Sequence, residues 1–576
     1  MAGLLRLSLC VMGLIWEAGA QEDAPLPFTE ILDPGGDVTL KWGFDLVQGN
    51  ITFQVTARTT GWVGFGFSPN GGMAGSDIVI GGVTPGGSYF KDYYAVDKSF
   101  PLVDQEQSYR LLSLSEADGQ TVMKFTRSII SCDQNDMSVT DLPMKLIYAY
   151  GMTDQTDYHM GHRGTREVNL LKYMPKVAMT SNTYFEMTMT EFLIPAKDTH
   201  YQCKVMEAPT FDRKYHIYRI EPIVERAQFV HHLLLYRCPP GMNETSDREC
   251  YTGADNRECF QAVAAWGMGG MPFEFPELAG IPIGGEVERY LYRLEVHYSN
   301  PDLTKGVVDS SGLRLYYTDK LRKNDAAILQ TGLAVGPGYL IPPNSSVFHT
   351  YGLCDTAYIQ EALSGNGSNL NVFSVLLHTH LAGRKLRVGQ FRDDKQIDFL
   401  ALEEVYNFEM QQTTNLGKTK MVKLGDKLLV ECTYNTANRS GMTWGGLATT
   451  DEMCLAFLYY YPAMGLSTCV SFPNMTALMT QMGAKTQKEM YSILLQKSWD
   501  NTSIMEFEKA LKMVPQHTMI GNVYNNFTFH MGRIYDLADT PSSSCSRKAP
   551  NGAATRNTGT IYSLLLLLWL AVGCAL

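Results

Sequence analysis

Residues 292–301 read YRLEVHYSNP, and this stretch indicates the fold class of the chain. Apolar and polar side chains alternate along it with a period of two, which is typical of a half-buried β-strand. Residues 51–56 (ITFQVT) alternate in the same way. Turns rich in glycine and proline, such as 68–72 and 341–344, separate the strands at short intervals, as in antiparallel sandwiches. The pattern therefore predicts a mainly β protein.

Helical spacing appears only near the carboxyl end. Apolar residues recur at i, i+3 and i+4 over residues 490–497 and again over 504–511. We therefore expect a few late helices, which serve as packing elements.

The composition is that of a folded, acidic protein. The chain has 576 residues, of which 45% are hydrophobic and 11% aromatic. At roughly 150 residues per domain, this length allows about four units with full cores. The formal net charge of −11 argues against the cationic surface that nucleic-acid binding needs. The composition therefore predicts a multi-domain protein with no nucleic-acid partner.

Both ends have the character of targeting segments. Residues 1–20 combine Arg6, an apolar run and an A-x-A cleavage site at 18–20, which predicts a signal peptide. Residues 561–576 are almost purely apolar and predict a membrane anchor. Either a removable GPI signal or a single transmembrane helix fits them. We expect the folded part between them to be lumenal or extracellular, on a membrane of the endoplasmic reticulum, a vesicle or the cell surface.

A secretory route predicts glycans and disulfides. Eight N-x-S/T sequons are candidate glycosylation sites: Asn50, Asn243, Asn344, Asn366, Asn438, Asn474, Asn501 and Asn526. Of twelve cysteines, ten lie between the two targeting segments. An even count in an oxidising compartment predicts five disulfides, with no thiol left for zinc or for nucleophilic chemistry.

The first sandwich is expected at residues 36–152. Its stretch GWVGFGFSPNGGMAGSDIVIGGV resembles a DOMON domain, a β-sandwich that in its relatives binds haem, a sugar or a metal. Met73, His159 and His162 are candidate haem ligands. The simpler interpretation is that these three are loop residues that pack against a domain interface.

Histidines recur in three short segments in the middle of the chain. The first segment, 229–236, contains His231 and His232. Adjacent side chains of a strand point to opposite faces, so both can bind one metal only if the backbone twists or different ring nitrogens coordinate. The second segment contains His297, on the polar face of its strand. Each segment alone is a weak signal for a metal.

The third segment, LLHTHLAGRK at 376–385, is more specific. The period of two directs His378 and His380 to one face, at a spacing that suits a shared metal ion. A lone methionine in the segment DEMC, Met453, is normally core filler, but its thioether is a soft ligand that favours Cu(I).

In this order the segments resemble the copper type II, ascorbate-dependent monooxygenases, over roughly residues 36–545. The resemblance implies the DOMON sandwich followed by two antiparallel, jelly-roll-like copper domains. The expected domains are an N-terminal copper domain, a C-terminal copper domain and a helical or linker region, at residues 182–335, 336–500 and 501–550.

The resemblance also implies the cofactors and their ligands. Two copper ions would bind per chain, with ascorbate as the reductant and O2 and a small molecule as substrates. His231, His232 and His297 would hold the electron-storing copper. His378, His380 and Met453 would hold the copper that binds O2. Tyr236, at the end of the first segment, is the candidate catalytic side chain.

The family pattern assigns all ten cysteines between the targeting segments. The implied pairs are Cys203–Cys250, Cys238–Cys259, Cys354–Cys469, Cys432–Cys454 and Cys132–Cys545. All ten would be used within the chain, so no interchain disulfide is expected, which leaves open an oligomer without one.

The sequence departs from the family beside Met453. Where characterised members carry asparagine and tyrosine, this chain has Leu455, Ala456 and Phe457. The loss of polar partners predicts a hydrophobic or aromatic amine-like substrate. An alternative is a membrane-tethered copper- or ligand-binding protein that has lost turnover. A third interpretation, a zinc hydrolase, does not account for Met453.

Overall fold

A computed structural model describes residues 25–33, 35–173, 182–251, 259–285, 290–336 and 338–538. The chain is mainly β, as predicted, and its sheets form three successive groups that we call modules 1, 2 and 3. The expected signal peptide and membrane anchor lie outside the described residues. Within the described residues, no helix combines the length and hydropathy needed to cross a bilayer.

Module 1 is a two-layer sandwich. Its strands are β1 (Phe28–Ile31), β2 (Val38–Asp45), β3 (Asn50–Ala57), β4 (Val63–Ser68), β5 (Asp77–Thr84), β6 (Gly87–Tyr94), β7 (Leu102–Val103), β8 (Arg110–Ala117), β9 (Gln120–Ser128), β10 (Met144–Tyr150) and β11 (Arg163–Val168). One sheet has the order β1-β2-β3-β9-β8 and the other β11-β10-β4-β5-β6-β7. Trp42, Phe53 and Phe125 are among the fully buried residues of its core. The module includes β1 and β11, which lie outside the expected range 36–152.

Module 2 supplies the first three histidines. Its strands are β12 (Tyr184–Thr188), β13 (Phe192–Leu193), β14 (Thr199–Glu207), β15 (Tyr215–Ile223), β16 (Val230–Arg237), β17 (Ser246–Glu249), β18 (Gln261–Gly267), β19 (Phe273–Glu274), β20 (Ala279–Ile283), β21 (Leu291–Ser299), β22 (Val308–Asp309), β23 (Gly312–Thr318) and β24 (Asn324–Asp325). The sheets have the orders β12-β23-β15-β20-β24 and β17-β14-β21-β16-β18, with β19 on β15 and β13 paired with β22. The central neighbours β16 and β21 therefore carry His231, His232 and His297.

Module 3 supplies the other two histidines and Met453. Its strands are β25 (Ala327–Leu333), β26 (Leu340–Ile341), β27 (Phe348–Asp355), β28 (Leu370–His378), β29 (Gly383–Arg392), β30 (Lys395–Glu403), β31 (Thr414–Val422), β32 (Lys427–Tyr434), β33 (Thr443–Trp444), β34 (Cys454–Tyr461), β35 (Leu466–Pro473), β36 (Gln516–Asn522) and β37 (Phe527–Gly532). The main sheets have the orders β31-β28-β34-β25-β35-β36-β37 and β27-β32-β29-β30. Strand β25 belongs here because it pairs with β34 and β35, although it falls inside the range 182–335 expected for the preceding domain.

The helices of the described residues are short, and three of the four are late, as predicted. They are α1 (Ile359–Ala362), α2 (Met475–Gln481), α3 (Gln487–Gln496) and α4 (Asn501–Met513), with a 3-10 turn at Thr356–Tyr358. Helix α1, between β27 and β28, was not predicted. The spacing of apolar residues predicted α3 and α4 correctly. These helices bury Met490 and Phe507 against module 3. The region 501–550 is not only helix and linker, because β36 and β37 extend the large sheet of module 3.

Strand β21 contradicts the expectation that residues 292–298 are half-buried. Both of its faces are buried, including Arg293, Glu295 and His297. The Arg293 guanidinium lies 4.6 Å from the ring centre of Tyr236 and 3.7 Å from the Glu295 carboxylate, which accepts a 2.6 Å hydrogen bond from Tyr251. The alternation therefore separates an apolar interior face from a polar interior face, on which charged groups are paired.

Modules 2 and 3 share one apolar core. Phe373, Leu376, Leu455, Phe457 and Tyr459 of module 3 lie in the same buried cluster as the interior of module 2. Contacts between the histidines of the two modules are therefore made across a packed junction.

The described cysteines form four of the implied pairs. Disulfides join Cys203 to Cys250, Cys238 to Cys259, Cys354 to Cys469 and Cys432 to Cys454. Cys132 is also disulfide-bonded, but its implied partner Cys545 lies outside the described residues. Seven of the eight sequon asparagines are exposed; the eighth, Asn474, is half-buried and caps α2.

Candidate metal centre

A β-bulge brings His231 and His232 together. The pairing of β16 with β21 runs from Val230 opposite Tyr298 to His232 opposite His297, so His231 is the extra residue. A bulge locally breaks the alternation of side chains between the two faces of a sheet. Of the two ways in which the adjacent histidines could share a metal, the chain therefore uses the distorted backbone.

The rings of His231, His232 and His297 converge through the same nitrogen. Nδ1 of His232 lies 3.5 Å from Nδ1 of His231 and 3.3 Å from Nδ1 of His297. A metal ion about 2.0–2.1 Å from two imidazole nitrogens separates them by roughly 3.3 Å at a tetrahedral angle. Nε2 of His231 and of His297 is buried without a hydrogen-bond partner. The three nitrogens are therefore spaced as ligands of one ion.

His378 and His380 present the opposite nitrogen. Nδ1 of His378 donates to Gln411 Oε1 at 2.7 Å, and Nδ1 of His380 donates to the Asp451 carbonyl at 3.2 Å. These bonds fix the tautomer and leave the Nε2 lone pair for a metal. Nε2 of His380 is buried without a partner. The rings lie 5.2 Å apart, so the two side chains do adjoin, although β28 itself ends at His378.

Glu452 holds the segment between these histidines, and sequence reasoning gave it no role. Its carboxylate is fully buried and accepts hydrogen bonds from Thr379 Oγ1 at 2.8 Å, the His380 amide at 3.0 Å and the Ala382 amide at 2.6 Å. Met453 follows directly and is 7% exposed, and its carbonyl accepts a 2.6 Å hydrogen bond from Tyr434. One buried carboxylate therefore ties the His-x-His turn to the segment that carries Met453.

All five imidazoles are neutral at physiological pH. Burial lowers the pKa of His231 to about 3 and lowers the pKa of His378. Burial, with the charge of neighbouring histidines, places the pKa of His232, His297 and His380 well below the ordinary value. Neutral imidazole is the form that binds a metal, so the cluster needs no deprotonation before loading.

The two histidine sets adjoin across the module junction. The rings of His232 and His378 lie 5.6 Å apart. The ring of Phe408 stacks on His231 at 4.1 Å and lies 6.0 Å from His380, while Tyr201 stacks on His297 at 4.2 Å. Aromatic rings thus cover both sets, and no local motif marks either aromatic residue.

The structure does not bring Tyr236 into contact with this cluster. Tyr236 lies four residues beyond His232 on β16, roughly 13 Å at the usual strand rise. It is buried against Arg293, and burial, with the charge of Glu295, raises its pKa. Of the candidate haem ligands in module 1, His162 stacks on Tyr150 and Met73 packs at the edge of an apolar cluster of the same module. Packing against a domain interface therefore stays a prediction.

The substitution Tyr236→Phe separates a catalytic from a packing role. It removes the hydroxyl and keeps the ring over Arg293, so we expect kcat to stay within about twofold of wild type and stability to fall by about 1 kcal/mol. Steady-state kinetics and thermal unfolding measure the two effects. A loss of kcat above about tenfold would instead support the catalytic role predicted from the sequence.

Comparison with known families identifies the class of protein. The family models of the copper type II ascorbate-dependent monooxygenase N-terminal and C-terminal domains match residues 185–305 and 324–490, and the DOMON domain model matches residues 34–151. The chain belongs to the copper type II ascorbate-dependent monooxygenases. It is an oxidoreductase that uses copper, with ascorbate as the reductant, and two copper ions per chain are typical of the family.

Its relatives span most of its length. It is 35% identical to "DBH-like monooxygenase protein 2" of Mus musculus over 94% of this chain and 90% of the relative. It is 38% identical to "DBH-like monooxygenase protein 1" of Homo sapiens, over 84% and 82%. It is 34% identical to "Dopamine beta-hydroxylase" of Bos taurus, over 80% and 78%. The disulfides and these relatives indicate a lumenal or extracellular location in the secretory pathway.

Proposed function

We propose that the chain hydroxylates a C–H bond of a small, hydrophobic or aromatic amine-like molecule, with O2 as the oxidant and ascorbate as the electron donor. His231, His232 and His297 would hold one copper ion, and His378, His380 and Met453 the other. Copper, when bound, supplies the one-electron steps and the position at which O2 reacts. The observation that carries the proposal is the pair of adjoining, buried and neutral histidine sets.

The two donor sets differ in the way that two separate tasks require. Three converging imidazole nitrogens suit a copper ion that changes oxidation state, whereas two imidazoles and a thioether favour the reduced ion. Gln411 and the Asp451 carbonyl orient the second pair of rings. No general acid or base is needed, because the chain's own groups have to bind, orient and exclude water.

Apolar residues beside the second set support the substrate class. Leu455 pairs in register with His378, and Phe457 pairs with Leu376 on the same two strands. Leu455 and Phe457 are buried in the core between the modules, while Ala456 faces the core of module 3. These three residues offer no side-chain amide or hydroxyl group, which disfavours substrates that need a polar partner there.

The alternative function is copper or ligand binding without turnover. The same altered edge, Leu455 to Phe457, motivates it, since a lost substrate contact would leave the metal ligands intact. Attachment to a membrane through residues 561–576 is part of both proposals. Oxygen uptake that depends on ascorbate, measured with a panel of phenethylamines and coupled to a hydroxylated product, supports the enzyme. Copper-loaded protein that consumes no oxygen with any amine supports the alternative.

Copper stoichiometry tests the grouping of the ligands. We expect two copper ions in the reconstituted wild-type protein, one in His297→Ala and one in His378→Ala, because each substitution removes a ligand of a different set. Atomic absorption after removal of loosely bound metal gives the count, and the double variant is expected to hold none. Loss of both ions from a single variant would show that the histidines are grouped wrongly.

A further inference from the structure

One segment of module 3 touches the histidines of both sets. We call residues 406–414 the bridging segment; it follows β30 and ends at the first residue of β31. Tyr406 Oη donates to the Thr379 carbonyl at 2.7 Å and accepts from the Thr379 amide at 3.2 Å, between His378 and His380. The segment also contributes the Phe408 ring on His231 and the Gln411 carboxamide on His378. Its position therefore affects ring orientation in both sets.

The segment is also bonded to the backbone of module 2. The Gln411 amide donates to the Met268 carbonyl at 3.0 Å, and the Met268 amide donates to the His231 carbonyl at 2.9 Å. Gln411 thus contacts His378 through its side chain and His231 through one intervening residue. A displacement of the segment would act on both modules.

Two polar side chains of module 1 bind the outer side of the bridging segment and the residues just before it. Glu167, on β11, accepts hydrogen bonds from Gln412 Nε2 through Oε2 and from Thr414 Oγ1 through Oε1, both at 2.8 Å. Lys145 of the adjacent strand β10 forms an ion pair with Glu403, just before the segment. Both side chains of that pair are largely buried. Charge-assisted bonds in a partly buried setting are stronger than ordinary surface contacts.

Neighbouring residues of the segment face opposite ways. Gln411 reaches His378, whereas Gln412 reaches Glu167, as successive side chains of an extended chain do. A shift of Gln412 toward solvent therefore moves Gln411 relative to the histidine ring. The carboxylate in module 1 and the histidine in module 3 are linked through two consecutive residues.

We propose that Glu167 is a positioning residue of the metal centre: it anchors the bridging segment and thereby sets the orientation of His378 and the cover over His231. Through this role, module 1 would influence the metal centre although it contributes no metal ligand to either histidine set. The inference rests on the proposed function only for the measurements made with copper, because the hydrogen bonds from Gln412 and Thr414 to Glu167 form without a metal.

The test compares Glu167→Ala with two matched variants. Glu167→Gln keeps an acceptor for Thr414, and Arg166→Gln removes a neighbouring ion pair to Glu30 within module 1 without touching the segment. In metal-free protein, we expect Glu167→Ala to speed amide hydrogen exchange across residues 406–414 at least about tenfold, the effect of losing two hydrogen bonds. We expect Arg166→Gln to leave this exchange unchanged and Glu167→Gln to lie close to wild type.

A copper readout separates positioning from simple support. In copper-loaded Glu167→Ala, we expect two bound ions and an altered Cu(II) electron paramagnetic resonance spectrum. We also expect kcat to fall about fivefold at unchanged KM. Glu167→Gln is expected to restore the spectrum and kcat. Faster exchange with an unchanged spectrum would overturn the positioning role, and so would unchanged exchange. If the wild-type protein binds no copper, the proposed function is wrong. The exchange experiment in metal-free protein would still show whether Glu167 anchors the bridging segment.

Discussion

The variant Met453→His is expected to retain two copper ions and to lose at least about a hundredfold in ascorbate-dependent turnover. The imidazole can still bind a metal, but it replaces the one soft donor, and the site loses its preference for the reduced ion. Met453 is buried and its carbonyl accepts a hydrogen bond from Tyr434, so we expect the backbone to direct the new side chain toward the same place. Copper analysis together with oxygen uptake measures the two effects.

The matched control is Met421→His, on the exposed side of β31. Met421 is 50% exposed, so a histidine there is expected to change neither copper content nor rate. Wild-type turnover in Met453→His, with both coppers present, would contradict the assigned role of the thioether. Loss of one copper would show that the thioether is needed for binding and not only for redox balance.

The second large effect is expected on stability, from Glu452→Ala. The substitution leaves the amides of His380 and Ala382 buried without their acceptor, and the Thr379 hydroxyl keeps only its 3.3 Å hydrogen bond to Tyr434 Oη. Each unpaired buried donor costs about 1–3 kcal/mol, so we expect a loss of about 3–5 kcal/mol, or roughly 10 °C in the melting temperature of metal-free protein. Differential scanning calorimetry gives both values.

An exposed glutamate of module 3 supplies the control for this variant. Glu506 lies on the solvent side of α4, and Glu506→Ala is expected to change stability by less than about 0.5 kcal/mol. If Glu452→Ala is as stable as Glu506→Ala, water replaces the carboxylate. The argument that Glu452 ties the His-x-His turn to the Met453 segment would then fail.

The chemistry of the site was largely predictable, because it depends on residue types at short spacing. His378 and His380 adjoin as the His-x-His pattern indicates. For His231 and His232 the sequence left two explanations open, and only the register of β16 against β21 decides for the bulge. A bulge has no reliable signature in one sequence, since it depends on the partner strand.

The supporting residues could not be predicted in this way. Phe408 and Gln411 lie in a segment without regular periodicity, and Glu167 is an ordinary polar residue of β11. Their roles arise from contacts between residues far apart in the chain: Gln411 lies 33 positions from His378, and Gln412 lies 245 positions from Glu167 of another module. Long-range docking leaves no trace in local composition or spacing.

The same limit explains the error at residues 292–298. A period of two shows that a strand has two different faces, but it does not show which of them meets water. Arg293 and Glu295 are buried because they pair with each other and with tyrosines of module 2. Polar residues at alternate positions therefore predicted the strand correctly and its exposure wrongly.

The disulfide between Cys432 and Cys454 has a consequence for how the protein is produced. Cys454 follows Met453 directly, so the cross-link fixes the start of β34 to β32 beside Met453, the proposed thioether ligand. A chain synthesised in a reducing cytosol would lack this cross-link, and the start of β34 would be held only by its pairing with β25 and β28. We therefore expect protein produced in an oxidising compartment to bind more copper at the proposed second set than protein produced in a reducing cytosol.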